Sequence, residues 1–140
     1  MKTKILVVDN EQDIAKALKL RLRTNGYDVI LAFDSVQAYT MAHEERPDLI
    51  ILETFIPGGG GFVVASRLKG SATTRHIPII FLTEISGCEK KAYRAGARSY
   101  LMKPYNPSIL LREITSALET DENRPLAKPE QNTVTSPLPS

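Results

Sequence analysis

The chain has 140 residues, with 18 Lys and Arg against 16 Asp and Glu, a formal net charge of +2, and 42% hydrophobic residues. The near balance of charge excludes bulk electrostatic capture of nucleic acid or of an anionic membrane, and the apolar share is too high for a disordered chain. A single cysteine, Cys88, and two histidines, His43 and His76, exclude an internal disulfide framework and any Cys- or His-rich metal cluster.

In chain order, the first 119 residues alternate between two hydrophobic periods. The apolar run at Lys4–Val8 predicts a strand buried on both faces, too short for a signal-peptide core or a membrane span, and Asp9-Asn10-Glu11 follow it at once. Ile14, Ala17, Leu18 and Leu22 share one face of a helix that stops near Asn25-Gly26. A second strand is predicted over Asp28–Leu31, then a helix capped by Ser35 and ending about Glu45, before Pro47. Leu49–Leu52 reads as a third strand, followed by Glu53-Thr54. Gly58-Gly59-Gly60-Gly61 lacks the Lys-Ser/Thr of a phosphate-binding loop and reads as a mobile turn entering a helix from Phe62 to Lys69.

A fourth strand over Ile77–Leu82 leads to Thr83-Glu84, and a fourth helix spans about Ser86 to Ala95. A fifth strand over Ser99–Met102 ends at Lys103. Leu110, Ile114, Ala117 and Leu118 stripe a fifth helix, with Asn106 as its cap and Pro107 at its first position. Residues 120–140 hold four prolines, no glycine and no aromatic residue. They cannot bury enough apolar surface to offset their ordering entropy, and are expected to be a flexible tail or linker after a domain at 1–119.

Strands alternating with helices imply an α/β fold, an open parallel sheet wound on both faces. Chemistry in such sheets gathers beyond the carboxyl ends of the strands. The polar residues expected there are Asp9, Asn10 and Glu11, then Glu53 and Thr54, then Thr83 and Glu84, then Lys103. Acids, a hydroxyl and an amine therefore meet at one edge.

Six segments, in this order and spacing, resemble the receiver domain of two-component response regulators. They are Ile5-Leu6-Val7-Val8-Asp9-Asn10-Glu11, Pro47-Asp48-Leu49-Ile50-Ile51-Leu52-Glu53, Ile56-Pro57-Gly58, Phe81-Leu82-Thr83, Gly96-Ala97 and Lys103-Pro104. The resemblance runs from about Lys4 to Leu118. It implies a flavodoxin-like (βα)5 fold with strand order 2-1-3-4-5. It implies a nucleophilic carboxylate at position 53, a Mg²⁺ set at Asp9, Asn10, Glu53 and Phe55, and phosphoryl contacts from Thr83 and Lys103. Tyr100 matches an aromatic associated with switching, and Lys103-Pro104 a peptide bond usually cis in relatives. The implied partner is a histidine kinase or other signalling protein. A homodimer is implied through the face of the fourth helix, fifth strand and fifth helix, near Lys90, Lys91, Arg94, Arg98 and Arg112. Arg98-Ser99 stands where some dimerising relatives carry an acidic pair.

Two central positions depart from the family pattern: Glu53 replaces the phosphoaccepting aspartate, and Asn10 replaces an acid of the metal pair. Glutamate carries its carboxylate outward by one bond, on the order of 1.5 Å. A misplacement of about 1 Å can cost ~10²-fold in rate. An amide oxygen brings no net charge to Mg²⁺. Glu53 can also reach Lys103, and unit charges ~4 Å apart attract by about 4 kcal/mol at an effective dielectric near 20, before desolvation. The expectation is an atypical, cytoplasmic receiver, not an enzyme, with a weak or lost Mg²⁺ site and no other cofactor, acting through protein–protein contacts without nucleic-acid or membrane binding. Glu53 is then either a phosphomimic that fixes an active-like state or a decayed site. The rival is a receiver that still accepts phosphoryl from a histidine kinase with Mg²⁺. A flavodoxin-like cofactor binder would need ring-stacking loops, and the chain has no tryptophan.

Overall fold

The computed structural model describes residues 2–123; the predicted tail from residue 124 onward lies outside them. The elements are β1 Lys4–Val8, α1 Gln12–Thr24, β2 Asp28–Ala32, α2 Ser35–Glu45, β3 Leu49–Leu52, α3 Gly60–Gly70, β4 Ile79–Thr83, α4 Glu89–Arg94, β5 Ser99–Met102 and α5 Pro107–Asn123. Five parallel strands form one sheet in the order β2-β1-β3-β4-β5; the parallel sheet is the one the apolar periods predict, and the order is the one the family resemblance implies.

The apolar runs are continuous because both faces of the central strands are covered. Leu6, Val8, Ile50, Leu52, Ile79 and Phe81 point into one core, shared with Ala38, Ala42, Val64, Leu68 and Ala92 of α2, α3 and α4. Their neighbours Ile5, Val7, Leu49, Ile51, Ile80 and Leu82 point into the other, with Ala15, Leu18 and Leu22 of α1 and Leu110, Ile114 and Ala117 of α5. The two-residue period of a strand divides one apolar run between two cores.

Register fixes the functional edge. Val8 lies opposite Leu52, Leu52 opposite Phe81, and Thr83 opposite Met102. Asp9, Glu53, Thr83 and Lys103 therefore leave the sheet almost level with one another.

Several boundaries differ from the predicted ones, each for a local reason. Asp34, not Ser35, caps α2 by accepting from the Gln37 backbone N–H at 2.8 Å. The Ser35 hydroxyl is spent elsewhere, donating to the Gly58 carbonyl at 2.6 Å, and so ties α2 to the loop after β3. β4 starts at Ile79 rather than Ile77, because Pro78 has no N–H to pair; its carbonyl still accepts from Ile50 at 3.0 Å. α4 is shorter than expected, since Gly87 with φ +85° turns the chain before it. α5 continues to Asn123, past the predicted boundary at 119.

The tetraglycine segment folds as a turn into α3, which begins at Gly60 instead of Phe62. Gly58, Gly59 and Gly60 all have positive φ (93°, 132° and 83°), a region that side chains with a Cβ rarely enter. Gly61 is constrained by space instead: an added Cβ would lie 2.3 Å from the Glu53 carbonyl oxygen and 3.1 Å from the Phe81 ring. This close approach seats α3 on the end of β3. Gly61→Ala is expected to lower stability by about 1–3 kcal/mol through overpacking, read as a lower urea midpoint. Gly70→Ala, whose Cβ would meet nothing within 4 Å, should leave the midpoint unchanged or raise it.

Candidate functional site

Asp9 is held at the end of β1 by its own N–H, which donates to the Ala32 carbonyl at 3.0 Å. Its Oδ1 accepts from the Glu11 backbone N–H at 2.9 Å. One strand over, the Glu53 N–H donates to the Val8 carbonyl at 3.0 Å, and its Oε2 accepts from the Thr54 N–H at 2.8 Å. The Thr83 hydroxyl donates to the same Oε2 at 2.6 Å and accepts from the Ile85 N–H at 3.2 Å. Lys103 is anchored through its N–H on the Thr83 carbonyl at 2.8 Å. From there its ammonium reaches Asp9 Oδ2 at 2.6 Å and Glu53 Oε1 at 2.8 Å.

The cluster is largely closed to water: Asp9 is 5% exposed, Glu53 8% and Thr83 0%. Charges at such depth persist only when paired and hydrogen-bonded, and each of the four carboxylate oxygens has a protein donor. Burial pulls the Lys103 ammonium down, but its hydrogen bonds and charge contacts with Asp9 and Glu53 outweigh burial and hold it above the ordinary lysine range. Around the cluster, Ile14, Glu84, Pro104 and Tyr105 join Lys103 in lining a largely apolar cleft of about 560 Å³.

Tyr100 lies behind the cluster, 9% exposed, its ring 5.9 Å from that of Phe81 and its hydroxyl donating to the Ile85 carbonyl at 2.5 Å. Burial pushes the phenol up to about 12. The neighbouring Thr54 hydroxyl moderates that rise, while Cys88, Glu89 and Glu53 add to it. The Thr54 hydroxyl is itself buried and, among the described residues, meets no partner in hydrogen-bonding geometry.

The structure thus brings together Asp9, Glu53, Thr83 and Lys103, with Tyr100 beneath them. Asn10 is exposed at the end of β1, Phe55 is 66% exposed, and the Glu11 and Glu84 side chains face solvent. The Lys103–Pro104 peptide bond is cis. Among the described residues, no group of three or more His, Cys, Asp or Glu is placed to hold a metal ion. The donor set does not fit Mg²⁺ beside Lys103, because the ammonium already bridges the two carboxylates. Sequence reasoning missed the backbone N–H groups of Glu11, Thr54 and Ile85, which fix the side chains. Every residue carries such a group, so no residue type signals it.

Removing the Lys103 charge strands two buried carboxylates. Lys103→Met is expected to cost about 3–5 kcal/mol of unfolding free energy, read by urea denaturation. Because the folded ammonium titrates above an exposed lysine, its contribution is full below about pH 10 and is lost as pH rises through the raised value. The stability gap between wild type and Lys103→Met should therefore narrow above about pH 10.5.

Residues 5–115 match the response regulator receiver domain family. Response regulator PleD of Caulobacter vibrioides is 35% identical over 118 residues, covering 83% of this chain and 26% of PleD. The DNA-binding dual master transcriptional regulator RpaA of Synechocystis is 31% identical over 126 residues, covering 89% of this chain and 52% of RpaA. The chain thus spans between a quarter and about half of these relatives. Among solved structures, a CheY-like receiver domain protein from Methanospirillum hungatei superposes with a TM-score of 0.81 at 26% identity, covering 87% of this chain and 98% of that one. The chemotaxis response regulator CheY4 of Vibrio cholerae gives 0.78 at 30% identity, covering 84% of this chain and 100% of that one. With its 2-1-3-4-5 sheet and a family match over most of its length, the chain belongs to the response regulator receiver domains of two-component signalling.

Proposed function

We propose that this receiver domain works without taking up a phosphoryl group, with Glu53 holding the site in a fixed, phosphorylated-like arrangement that a partner protein reads. One observation carries the proposal: both oxygens of the Glu53 carboxylate are occupied, Oε1 by Lys103 and Oε2 by Thr83 and the Thr54 N–H. A carboxylate nucleophile needs an exposed lone pair aligned with the incoming phosphorus. Here the carboxylate is buried and its lone pairs point at protein donors.

The same contacts favour a phosphomimic over simple decay. Thr83 and Lys103 are the residues that the family resemblance assigns to phosphoryl oxygens, and both are satisfied by Glu53. The longer side chain brings its negative charge to donors that would otherwise wait for a phosphoryl group. Tyr100, packed inward on the Ile85 carbonyl, is consistent with a settled switch.

The surface suited to a partner is that of α4, β5 and α5. Tyr93, Met102 and Ile109 are 41%, 37% and 40% exposed there, beside exposed Lys90, Arg94 and Arg112. These apolar groups stand among charges of both signs, since Glu89 and Glu113 also act on Tyr93, and such a surface suits a signalling protein with a complementary apolar and charged face. RpaA is a DNA-binding protein by name; in this chain the described helices are spent on covering the sheet, so DNA contact would fall to another module. Among the described residues, no helix is long and apolar enough to cross a membrane.

Incubation with acetyl phosphate and Mg²⁺, followed by intact-mass measurement, should show no phosphoryl adduct. A stoichiometric adduct on Glu53 would establish the rival, a phosphotransfer-competent receiver. Glu53→Gln keeps the length but removes the charge, weakening the hydrogen bonds from Thr83 and Lys103 by about 1–2 kcal/mol. It should shift the ring resonances of Tyr100 in NMR spectra; unchanged resonances would favour a decayed site over a phosphomimic.

A further inference from the structure

Asp9 and Glu53 face one another across a gap that contains one positive charge, the Lys103 ammonium. Both contacts have the short lengths of charge-assisted hydrogen bonds. A divalent ion spanning the two carboxylates would need the oxygens that face each other, Asp9 Oδ2 and Glu53 Oε1, and the ammonium holds both. The remaining oxygens are turned away: Asp9 Oδ1 toward the Glu11 N–H, Glu53 Oε2 toward Thr83 and the Thr54 N–H. The Lys103 backbone N–H is bonded to the Thr83 carbonyl, and from that base its side chain, 8% exposed, carries the ammonium to both oxygens.

The charges point the same way. Two carboxylates and one ammonium leave a net −1 in the pocket, and a divalent ion entering beside the lysine would suffer cation–cation repulsion at close range. Without the ammonium, the same ion would meet −2 and be neutralised. Asn10, exposed nearby, adds a dipole but no charge.

We propose that Lys103 is the resident cation of this receiver, standing where a divalent ion would bridge Asp9 and Glu53, so that the protein is indifferent to Mg²⁺. Withdrawing the ammonium converts the pocket into a divalent-cation site on Asp9 and Glu53. The proposal shares with the functional reading the contact between Lys103 and Glu53; phosphoryl uptake plays no part in it.

The test compares wild type with Lys103→Met during titration with MgCl₂ and MnCl₂. Melting temperature is followed by circular dichroism, and Mn²⁺ contact by paramagnetic broadening of backbone amide signals. Wild type should show no saturable shift in melting temperature at low-millimolar Mg²⁺ and no selective broadening at Asp9 or Glu53. Lys103→Met should be stabilised by Mg²⁺, bind it at least roughly tenfold more tightly than wild type, and show broadening centred on those two residues. Equal affinity in the two proteins, or no gain in the variant, would overturn the proposal. Should Lys103→Met fail to fold without metal, the wild-type Mn²⁺ experiment decides alone: selective broadening at Asp9 and Glu53 refutes the proposal and its absence supports it. A phosphoryl adduct on Glu53 without a wild-type Mn²⁺ signal would sink the functional reading and leave this inference standing.

Discussion

The bridge from the Lys103 ammonium to Asp9 and Glu53 is the interaction on which the functional edge depends. Three strands end at these side chains, and the ammonium after β5 lies within hydrogen-bonding distance of the carboxylates after β1 and β3. Two buried carboxylates would repel one another, and each would carry a desolvation cost that hydrogen bonds alone do not offset. The single ammonium, bonded to both, offsets part of that repulsion. The arrangement is asymmetric: two acids share one base, and backbone N–H groups and a hydroxyl carry the remaining negative charge. A buried ion pair of this kind is weak evidence for stability gained over an apolar core. Its persistence at the edge of the sheet is better understood as positioning.

That positioning is a product of the sheet. Parallel strands in register bring Val8, Leu52 and Phe81 level, so that the first polar residue beyond each run falls into one shallow crevice. α3 packs closely on the end of β3, and Gly61 makes this approach by presenting no side chain to the Glu53 carbonyl. Ser35 fastens the opposite side of the same loop through the Gly58 carbonyl. The loop after β3 is therefore held at both ends, although its sequence of four glycines suggests mobility. Conformational freedom in the unfolded chain is here the means of reaching three successive positive φ angles in the folded one.

Most of the fold was legible because hydrophobic period is a one-dimensional signal. Continuous runs such as Leu49–Leu52 and Ile79–Leu82 can be buried only on both faces, and their alternation with amphipathic stretches leaves few topologies. Helix ends were less legible. Ser35 and Asp34 are both good caps in isolation, and only the position of Gly58, 23 residues away, decides which one is free to serve. The site residues were legible as types: Asp9, Glu53, Thr83 and Lys103 all follow apolar runs. Their pairing was legible only in part. The reach of Glu53 to Lys103 follows from side-chain length, but the sharing of Lys103 with Asp9 depends on the register of β1, β3 and β5 across the sheet. Thr54 was legible as a polar residue following β3, but the burial of its hydroxyl and its influence on the Tyr100 phenol were not.

The link from this edge to the partner face runs through β5, which carries both ends of the argument. Lys103 follows its last residue, while Tyr100 lies within it and stacks on Phe81, whose ring in turn meets Phe62 of α3 at 5.2 Å. Lys91 of α4 sits over that Phe62 ring at 4.8 Å. A change in the charge on Glu53 would reach Tyr100 along one chain of hydrogen bonds: through Thr83, whose hydroxyl accepts from the Ile85 N–H, to the Ile85 carbonyl that holds the phenol. Contiguity of this kind does not by itself make a signal; the coupling requires an element with two arrangements. The loop from Thr83 to Cys88 is the element placed to supply them, because it is bonded to Glu53 at one end and leads directly into α4 at the other. If Glu53 keeps that loop drawn in, information enters this receiver through the partners available to α4, β5 and α5, and the phosphate site serves as a fixed anchor for the face that they meet.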